Sequence, residues 1–277
     1  MGRFSELISN ISRIWAEWHS QYLMGMRNTL ILATAATIIG CLIGFVCGIL
    51  NTIPYDKNDN IVKRFFLKLI RIVIRIYVEV FRGTPMILQA VFIYFGIPFF
   101  TYGQIMFKGM SGMWVSGLLV VSINTGAYMA ESVRGGIISI DPGQFEGAKA
   151  IGMTHFQTML YVVLPQAIRN IMPQIGNNFI INIKDTSVMF VIGFSDFFAV
   201  HRNVVGINYL TFESAAIEMV GYLCVTLTAS IILRFIERHM DGDDSYELAS
   251  ADQLVMAAGT YTVPERKDRH GDGRDSR

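Results

Sequence analysis

The sequence predicts an all-α integral membrane protein that crosses the membrane five times. Of its 277 residues, 52% are hydrophobic and 16% are charged, whereas soluble domains carry about 25% charged residues. No Asp, Glu, Lys or Arg occurs in residues 28–55, 86–107 or 109–130. A membrane span needs about 20 mostly apolar residues. A large soluble core is therefore disfavoured, because its helices rarely run this far without charge.

The first 22 residues form an amphipathic pattern. Apolar residues recur at helical spacing, opposite a face of Ser, Asn, Arg and Glu: Phe4, Leu7, Ile8, Ile11, Ile14, Trp15 and Trp18. Tryptophans beside a span favour a helix in the membrane interface. We therefore predict an interfacial helix over residues 1–22, with packing against a partner as the alternative.

A transmembrane domain is predicted over residues 23–238. Its five spans are placed at about 26–50, 74–99, 113–136, 174–198 and 212–235. The second is expected to break near the sequence "RGTP", because Pro85 disfavours helix for the residue before it and Gly83 adds backbone freedom. Six spans would require dividing residues 65–99, which we consider less favourable.

The distribution of Lys and Arg predicts how the chain is oriented, because short cytoplasmic loops are enriched in these residues. The loop 51–75 contains six of them, the loop 100–112 contains one, and the loop 199–211 contains one. This alternation places the N-terminus outside and the C-terminus in the cytoplasm of a cell-membrane protein. The tail 239–277 is polar and is predicted to be disordered.

The cytoplasmic loop before the fourth span, residues 137–173, carries helix start and stop signals. Asp141 can cap a helix, and Glu146 lies early in that helix, where the dipole favours an acid. Gly152 suits a left-handed helix end. Thr154 and Gln157 have the spacing of a capping box at the start of a second helix. The pattern predicts a helix, a glycine corner and a second helix; the alternative is a plain surface hairpin.

This loop resembles the EAA loop of ATP-binding-cassette (ABC) importer permeases. The family pattern is Glu-Ala-Ala, three residues, Gly, nine residues, Ile, one residue and Leu-Pro. The chain matches it, with Gly and Val substituted at two positions, through Glu146, Gly147, Ala148, Gly152, Val162, Leu164 and Pro165. The sequences "VFRGTP", "IYFGIP", "LPQAIRNIMP" and "IKDTS" resemble the polar-amino-acid branch, and the resemblance covers about residues 20–238.

The resemblance implies a five-helix permease of the type I importer fold that pairs with a second permease, identical or related. A separate ABC ATPase subunit would bind the cytoplasmic coupling loop, and an extracytoplasmic binding protein would deliver an amino acid. The chain has no G-x-x-x-x-G-K-[ST] phosphate loop. We therefore expect no ATPase site and no cofactor in this chain, with ATP held by the partner. The lipid bilayer is an expected partner, and nucleic acid is not.

Polar residues within the spans are candidates for the substrate path, because intramembrane charges usually face a cavity or a partner. Asp185 could receive the substrate ammonium, and Arg82 or nearby backbone amides its carboxylate. The candidate path residues are Arg82, Gly83, Thr84, Pro85, Asn124, Tyr128, Glu131, Lys184, Asp185, Thr186 and Ser187. As alternatives, Lys184 and Asp185 could pair at a permease dimer interface, and Arg82 could pair with Glu79.

Two other functional classes are considered. A self-sufficient secondary transporter or channel is disfavoured, because five spans without an inverted repeat do not match the usual architecture. A membrane enzyme is disfavoured, because no His, Cys, Asp or Glu cluster has catalytic spacing.

Overall fold

The computed structural model describes residues 2–54 and 60–241, which contain helices and no strand. The helices, in chain order, are α1 Gly2–Thr52, α2 Ile61–Gly83, α3 Met86–Phe100, α4 Gly109–Ile138, α5 Pro142–Ala150, α6 His155–Ile192, α7 Phe197–Asn208 and α8 Thr211–Asp241. One π-helical turn lies in α3 (Phe92–Gly96) and one in α6 (Met159–Val163), and α6 ends in a 3₁₀ stretch, Thr186–Ile192. The prediction of an all-α protein is confirmed.

The chain divides into a compact unit that ends at Phe235 and a second unit that begins at Ile236. In the second unit, the described residues 236–241 are helical. The rest of the predicted disordered tail lies outside the described residues, as does Lys57 of the basic loop 51–75.

Helices α1, α4 and α8 are each long and apolar enough to cross a membrane. Two bent pairs have the same property: α2 with α3, which meet at 111°, and α6 with α7, which meet at 51°. Counting each bent pair as one span gives five, the predicted number. The break near "RGTP" lies where the sequence indicated.

The bounds of the second and fourth spans differ from the prediction. Helix α2 begins at Ile61, where the Asn60 side chain accepts a hydrogen bond from the Val62 amide at 3.1 Å. The fourth span is predicted at about 174–198, whereas α6 stops at Ile192 and α7 begins at Phe197. Gly193 adopts φ +80°, a left-handed conformation that ends helices. Asp196 then caps α7 by accepting the Ala199 amide at 2.9 Å.

The predicted interfacial segment 1–22 has no boundary with the first span, because α1 continues without interruption from Gly2 to Thr52. Ile14 and Tyr22 are buried in one cluster with Phe197 and Val204 of α7, and Trp18 packs against it. Part of the amphipathic stripe therefore packs within the chain itself. Phe4, Ile8 and Trp15 remain exposed, and an interfacial position for that face stays a prediction.

Helix α4 lies at the centre of the packing. Near one end, Val120 and Val121 share a core with Leu32 of α1 and Met189 of α6. Near the other end, Met129 and Val133 share a second core with residues of α6, including Val163 and Ile171. Both bent pairs and α1 pack around α4. The polar residues of α4 lie close to the break between α2 and α3.

Candidate functional site

The break between α2 and α3 is a short extended link. Thr84 has φ −121° and ψ 145°, the conformation that a following proline imposes. Its hydroxyl donates to the Val80 carbonyl at 2.7 Å. A Cβ atom on Gly83 would meet nothing within 4 Å. The predicted path residues Gly83, Thr84 and Pro85 therefore form an open turn at the end of α2.

The carbonyl groups freed by this break are held by two amide side chains. Gln89 Nε2 donates to the carbonyls of Phe81 and Thr84, both at 2.9 Å, and to Thr84 Oγ1 at 3.0 Å. Asn124 Nδ2 donates to the Phe81 carbonyl and to Gln89 Oε1, both at 3.0 Å. Asn124, a predicted path residue, thus ties α4 to the break. Gln89 is absent from the predicted site residues. The sequence does offer a signal for it, because an amide side chain four residues after a helix-breaking proline can bond the carbonyl groups that the break frees.

Three predicted path residues meet beside this break. Arg82 forms an ion pair with Glu131 of α4. The Arg82 guanidinium also lies over the Tyr128 ring, 5.3 Å from its centroid. The partner of Arg82 is therefore Glu131, whereas the alternative weighed from the sequence was Glu79. All three side chains remain partly exposed, so this cluster is accessible from the molecular surface.

The ion pair lies in a cavity of about 490 Å³ between α2, α4 and the end of α1. Its lining is mostly charged and comes chiefly from one face of α2. The lining residues are Asn51, Lys68, Arg71, Ile72, Ile74, Arg75, Val78, Glu79, Arg82, Ala130, Glu131 and Arg134. A charged cavity of this kind can hold a small zwitterion.

The remaining predicted path residues lie elsewhere. Lys184 and Asp185 end the α-helical part of α6, and neither lines the cavity that contains Arg82 and Glu131. Lys184 is exposed and Asp185 is half-buried. Thr186 is fully buried and donates to the Ile183 carbonyl at 3.0 Å, and Ser187 is half-buried. The structure therefore does not bring Asp185 into one site with Arg82, as the sequence analysis had suggested.

The loop between α4 and α6 folds as a helix, a glycine corner and a second helix, as predicted. The Asp141 side chain accepts the Gly143 amide at 2.6 Å at the start of α5. Gly152 has φ +80°, and the amide of Met153 donates back to Ala148 at 3.0 Å. Thr154 and Gln157 form the reciprocal capping box. A Cβ atom on Gly147 would meet nothing within 4 Å, so an alanine, the family residue, would fit there.

This segment has one buried and one exposed side. Ala148 and Val163 are buried, whereas Val162 and Leu164 are half-buried. Glu146, Gly152 and Pro165 are exposed. Three large apolar side chains of this segment are mostly exposed: Ile151 at 78%, Phe156 at 73% and Tyr161 at 68%. We call these three residues the corner patch. Large apolar side chains exposed along one surface segment are typical of a surface that binds another protein.

A buried polar cluster, absent from the predicted site residues, joins α1, α7 and α8. The Ser214 hydroxyl lies 2.7 Å from the Tyr22 hydroxyl and 2.9 Å from His201 Nδ1, which is 3.6 Å from Glu218 Oε2. Asp196 is fully buried at the start of α7. The sequence contains a signal for this cluster. Polar residues recur every four positions at Ser214, Glu218 and Tyr222 and therefore share one face of α8.

The chain is similar to known membrane transport proteins in both sequence and structure. A family model described as "Binding-protein-dependent transport system inner membrane component" matches residues 61–242. The glutamine transport system permease protein GlnP of Escherichia coli (strain K12) is 37% identical over 165 residues, which are 60% of this chain and 73% of GlnP. The arginine transport system permease protein ArtQ of Bacillus subtilis (strain 168) is 31% identical, over 80% of this chain and 93% of ArtQ.

Two solved structures are also similar. A crystal structure of an amino acid ABC transporter with histidines matches with a TM-score of 0.69 and 34% identity, over 81% of this chain and 96% of that chain. The MetNI methionine ABC transporter in an inward-facing conformation matches with a TM-score of 0.65 and 17% identity, over 82% of this chain and 99% of that chain. The second likeness shows the fold alone.

Proposed function

Because this chain belongs to the family of inner membrane components of binding-protein-dependent transport systems, we propose that it binds its ATPase through the corner patch and conducts substrate past Arg82 and Glu131. The chain is a multi-pass, membrane-spanning permease subunit of an ABC-type amino-acid importer, with the type I permease fold. In this family the ATPase is a separate subunit. The observation that carries the proposal is the capped, exposed corner at Gly152.

The corner suits a coupling element, because local hydrogen bonds fix its shape while its buried side packs on the core. The cap at Asp141 and the capping box at Thr154 define both helix starts. The corner patch offers apolar contact area, and Glu146 adds a negative charge on the same exposed segment. A groove on the ATPase that is apolar with a basic rim would complement this surface. Movement of the ATPase would then reach α6 through the start of that helix.

The substrate path is proposed to run beside the break between α2 and α3. Arg82, Tyr128 and Glu131 supply charged and aromatic contacts, while Thr84 and Asn124 maintain the open turn. A zwitterion could exchange with the Arg82–Glu131 pair, its carboxylate on the guanidinium and its ammonium on the Glu131 carboxylate. Lys184, Asp185 and Ser187 would contribute at a separate point of the path or at the contact with a second permease.

The complete importer is proposed to contain a second permease, identical or related, two ATPase subunits and an extracytoplasmic binding protein that delivers the amino acid. The basic loops predict that the corner patch faces the cytoplasm and that the N-terminus lies outside. In that orientation the ATPase and the binding protein approach opposite faces of the chain.

Substitutions at the corner test the proposal. Gly152→Val forces a left-handed β-branched residue, at a cost of roughly 1–2 kcal/mol, while Glu146→Lys and Phe156→Ser change the exposed surface alone. We expect each variant to insert normally but to retain less ATPase on co-purification. ATP hydrolysis should respond weakly to the loaded binding protein. Gly206→Val is the matched control, because a Cβ atom there meets nothing within 4 Å and Gly206 lies on α7, far along the chain from the corner.

Normal ATPase retention and normal stimulation in all three variants would show that the corner is a connecting hairpin. Uptake driven by an ion gradient without any ATPase would instead favour a secondary transporter.

A further inference from the structure

The first ten residues of α2 expose a row of large apolar side chains. The members of this apolar row are each between 46% and 80% exposed: Ile61, Val62, Phe65, Phe66 and Leu69. They recur at intervals of three or four residues and therefore share one face of the helix. On the other side of α2, Leu67 and Ile74 are buried. One side of the segment is thus fixed to the protein, while the apolar row faces away from the described residues.

The same stretch of chain is basic. Five basic residues and no acid occur in residues 61–78. When the acids on both sides are included, six basic and three acidic residues leave residues 56–79 with a net charge of +3. Pairing of the basic side chains with these neighbouring acids therefore leaves a positive surplus. Lys68 and Arg75 are exposed and lie four and three residues from the exposed Ile72, so they flank the apolar face.

Two hydrogen bonds fix the level of this segment relative to α1 and α4. Arg71 donates to the Ile53 carbonyl, just beyond the end of α1, at 2.6 Å. Tyr77 donates to the Ile123 carbonyl, in the middle of α4, at 2.6 Å. Between these two residues, α2 therefore runs from the end of the packed helices towards their middle. Residues 61–70 lie at that end or beyond it, on the side that the basic loops predict to be cytoplasmic.

We infer that residues 61–70 lie in the cytoplasmic membrane interface and bind anionic phospholipid. The apolar row enters the acyl chains, and the basic side chains extend to the phosphates. The membrane surface adjoins this segment, because α1 and α4 are proposed to cross the bilayer beside it. It supplies both the apolar cover and the negative charge that the segment lacks. The bound lipid would hold the start of the helix that ends beside Arg82.

Spin labelling measures where the apolar row lies. Phe66→Cys, or Gln104→Cys as an exposed loop reference, is introduced into a permease–ATPase complex without other cysteines. The nitroxide-labelled complex is reconstituted in vesicles of phosphatidylcholine and phosphatidylglycerol. Power saturation then compares collisions with oxygen, which concentrates among acyl chains, and with a water-soluble nickel chelate. We expect the label at residue 66 to collide mainly with oxygen and the label at residue 104 mainly with the chelate.

Brominated lipids measure the preference for negative charge. A fluorophore on Phe66→Cys is quenched by brominated phosphatidylglycerol or by brominated phosphatidylcholine at equal mole fraction. One basic residue near an anionic surface gives a preference of about fivefold, and we expect at least that preference for phosphatidylglycerol. Lys68→Glu should lower it at least about threefold. Lys108→Glu, the same change at an exposed position in the loop before α4, should leave it unchanged.

Three results would overturn the inference. Frequent collision of the residue 66 label with the nickel chelate would place the apolar row in water. Rare collision with both reagents would show that another protein subunit covers it. Equal quenching by the two lipids, or a preference that Lys68→Glu does not lower, would remove the anionic phospholipid. The proposed function is decided separately, by ATP-dependent amino-acid uptake into proteoliposomes with the binding protein, and its failure would not change the position of residue 66.

Discussion

Gln89 illustrates how one amide side chain can hold a broken helix together. It donates to two carbonyls and one hydroxyl at the break and accepts a hydrogen bond from Asn124. Backbone groups freed within a membrane need such partners, because no bulk water is present to replace them. Gln89 is buried, so its bonds have no ready substitute.

We expect Gln89→Leu to lower the stability of the permease. The substitution keeps the volume but leaves the Phe81 and Thr84 carbonyls with fewer donors, at about 1–3 kcal/mol for each buried group that loses its partner. The melting temperature of the purified complex, followed by tryptophan fluorescence, should fall by several degrees. Gln104→Leu, at an exposed loop position, is the control. Equal melting temperatures for the two variants would show that the break holds its shape without Gln89.

At the scale of elements, α1 and α4 approach each other closely. Gly40, Gly44 and Gly48 recur every four residues and are buried on one face of α1. A Cβ atom on Gly44 would lie 2.2 Å from the Met129 Cβ atom, and one on Gly48 would lie 2.6 Å from the Val133 Cβ atom. Small residues at this spacing let two membrane helices approach closely and gain contact energy. Glycine is needed at these positions because any side chain would clash with α4, and not because of the backbone conformation.

Gly44→Val should therefore disrupt the pairing of α1 with α4. Overpacking costs about 1–3 kcal/mol or more, and in this case both helices would need to separate. We expect a lower yield of folded permease and faster cleavage of α1 by added protease. Gly135→Val on α4 is the matched control, because a Cβ atom there meets nothing within 4 Å. A normal yield and normal protease resistance for Gly44→Val would argue against close approach at this position.

At the scale of the whole molecule, the orientation in the membrane determines which partner meets which face. The positive-inside pattern predicts that α5 and the corner patch lie in the cytoplasm and that the loop between α3 and α4 lies outside. The proposed function depends on this arrangement, because it requires the ATPase and the binding protein to approach from opposite sides of the membrane.

Single-cysteine labelling tests the orientation. Cys41, Cys47 and Cys224 are first replaced by alanine, and a cysteine is introduced as Gln144→Cys or Gln104→Cys, both exposed positions. In intact cells, a membrane-impermeant maleimide should label Gln104→Cys and should label Gln144→Cys after permeabilisation alone. The reverse pattern would invert the topology and remove the proposed contact between the corner patch and the ATPase.

The sequence by itself determined the features that arise from neighbouring residues. The long uncharged runs 28–55, 86–107 and 109–130 predict α1, α3 and α4. Pro85 indicates the break after α2, and the caps and Gly152 indicate the corner between α5 and α6. Each of these signals acts through local backbone geometry or through transfer of a continuous segment into lipid, so it can be recognised without knowledge of the rest of the chain.

The tertiary structure alone decided which polar side chains meet. Arg82 pairs with Glu131, Gln89 meets Asn124 across 35 residues of sequence, and Asp185 lies away from the cavity that contains Arg82. Tyr22 and Ser214, 192 residues apart, are in hydrogen-bond contact. Such pairs depend on the rotation and crossing of whole helices, which are set by close packing around α4. A periodic pattern assigns a residue to a face of its own helix, and packing between helices decides what that face contacts.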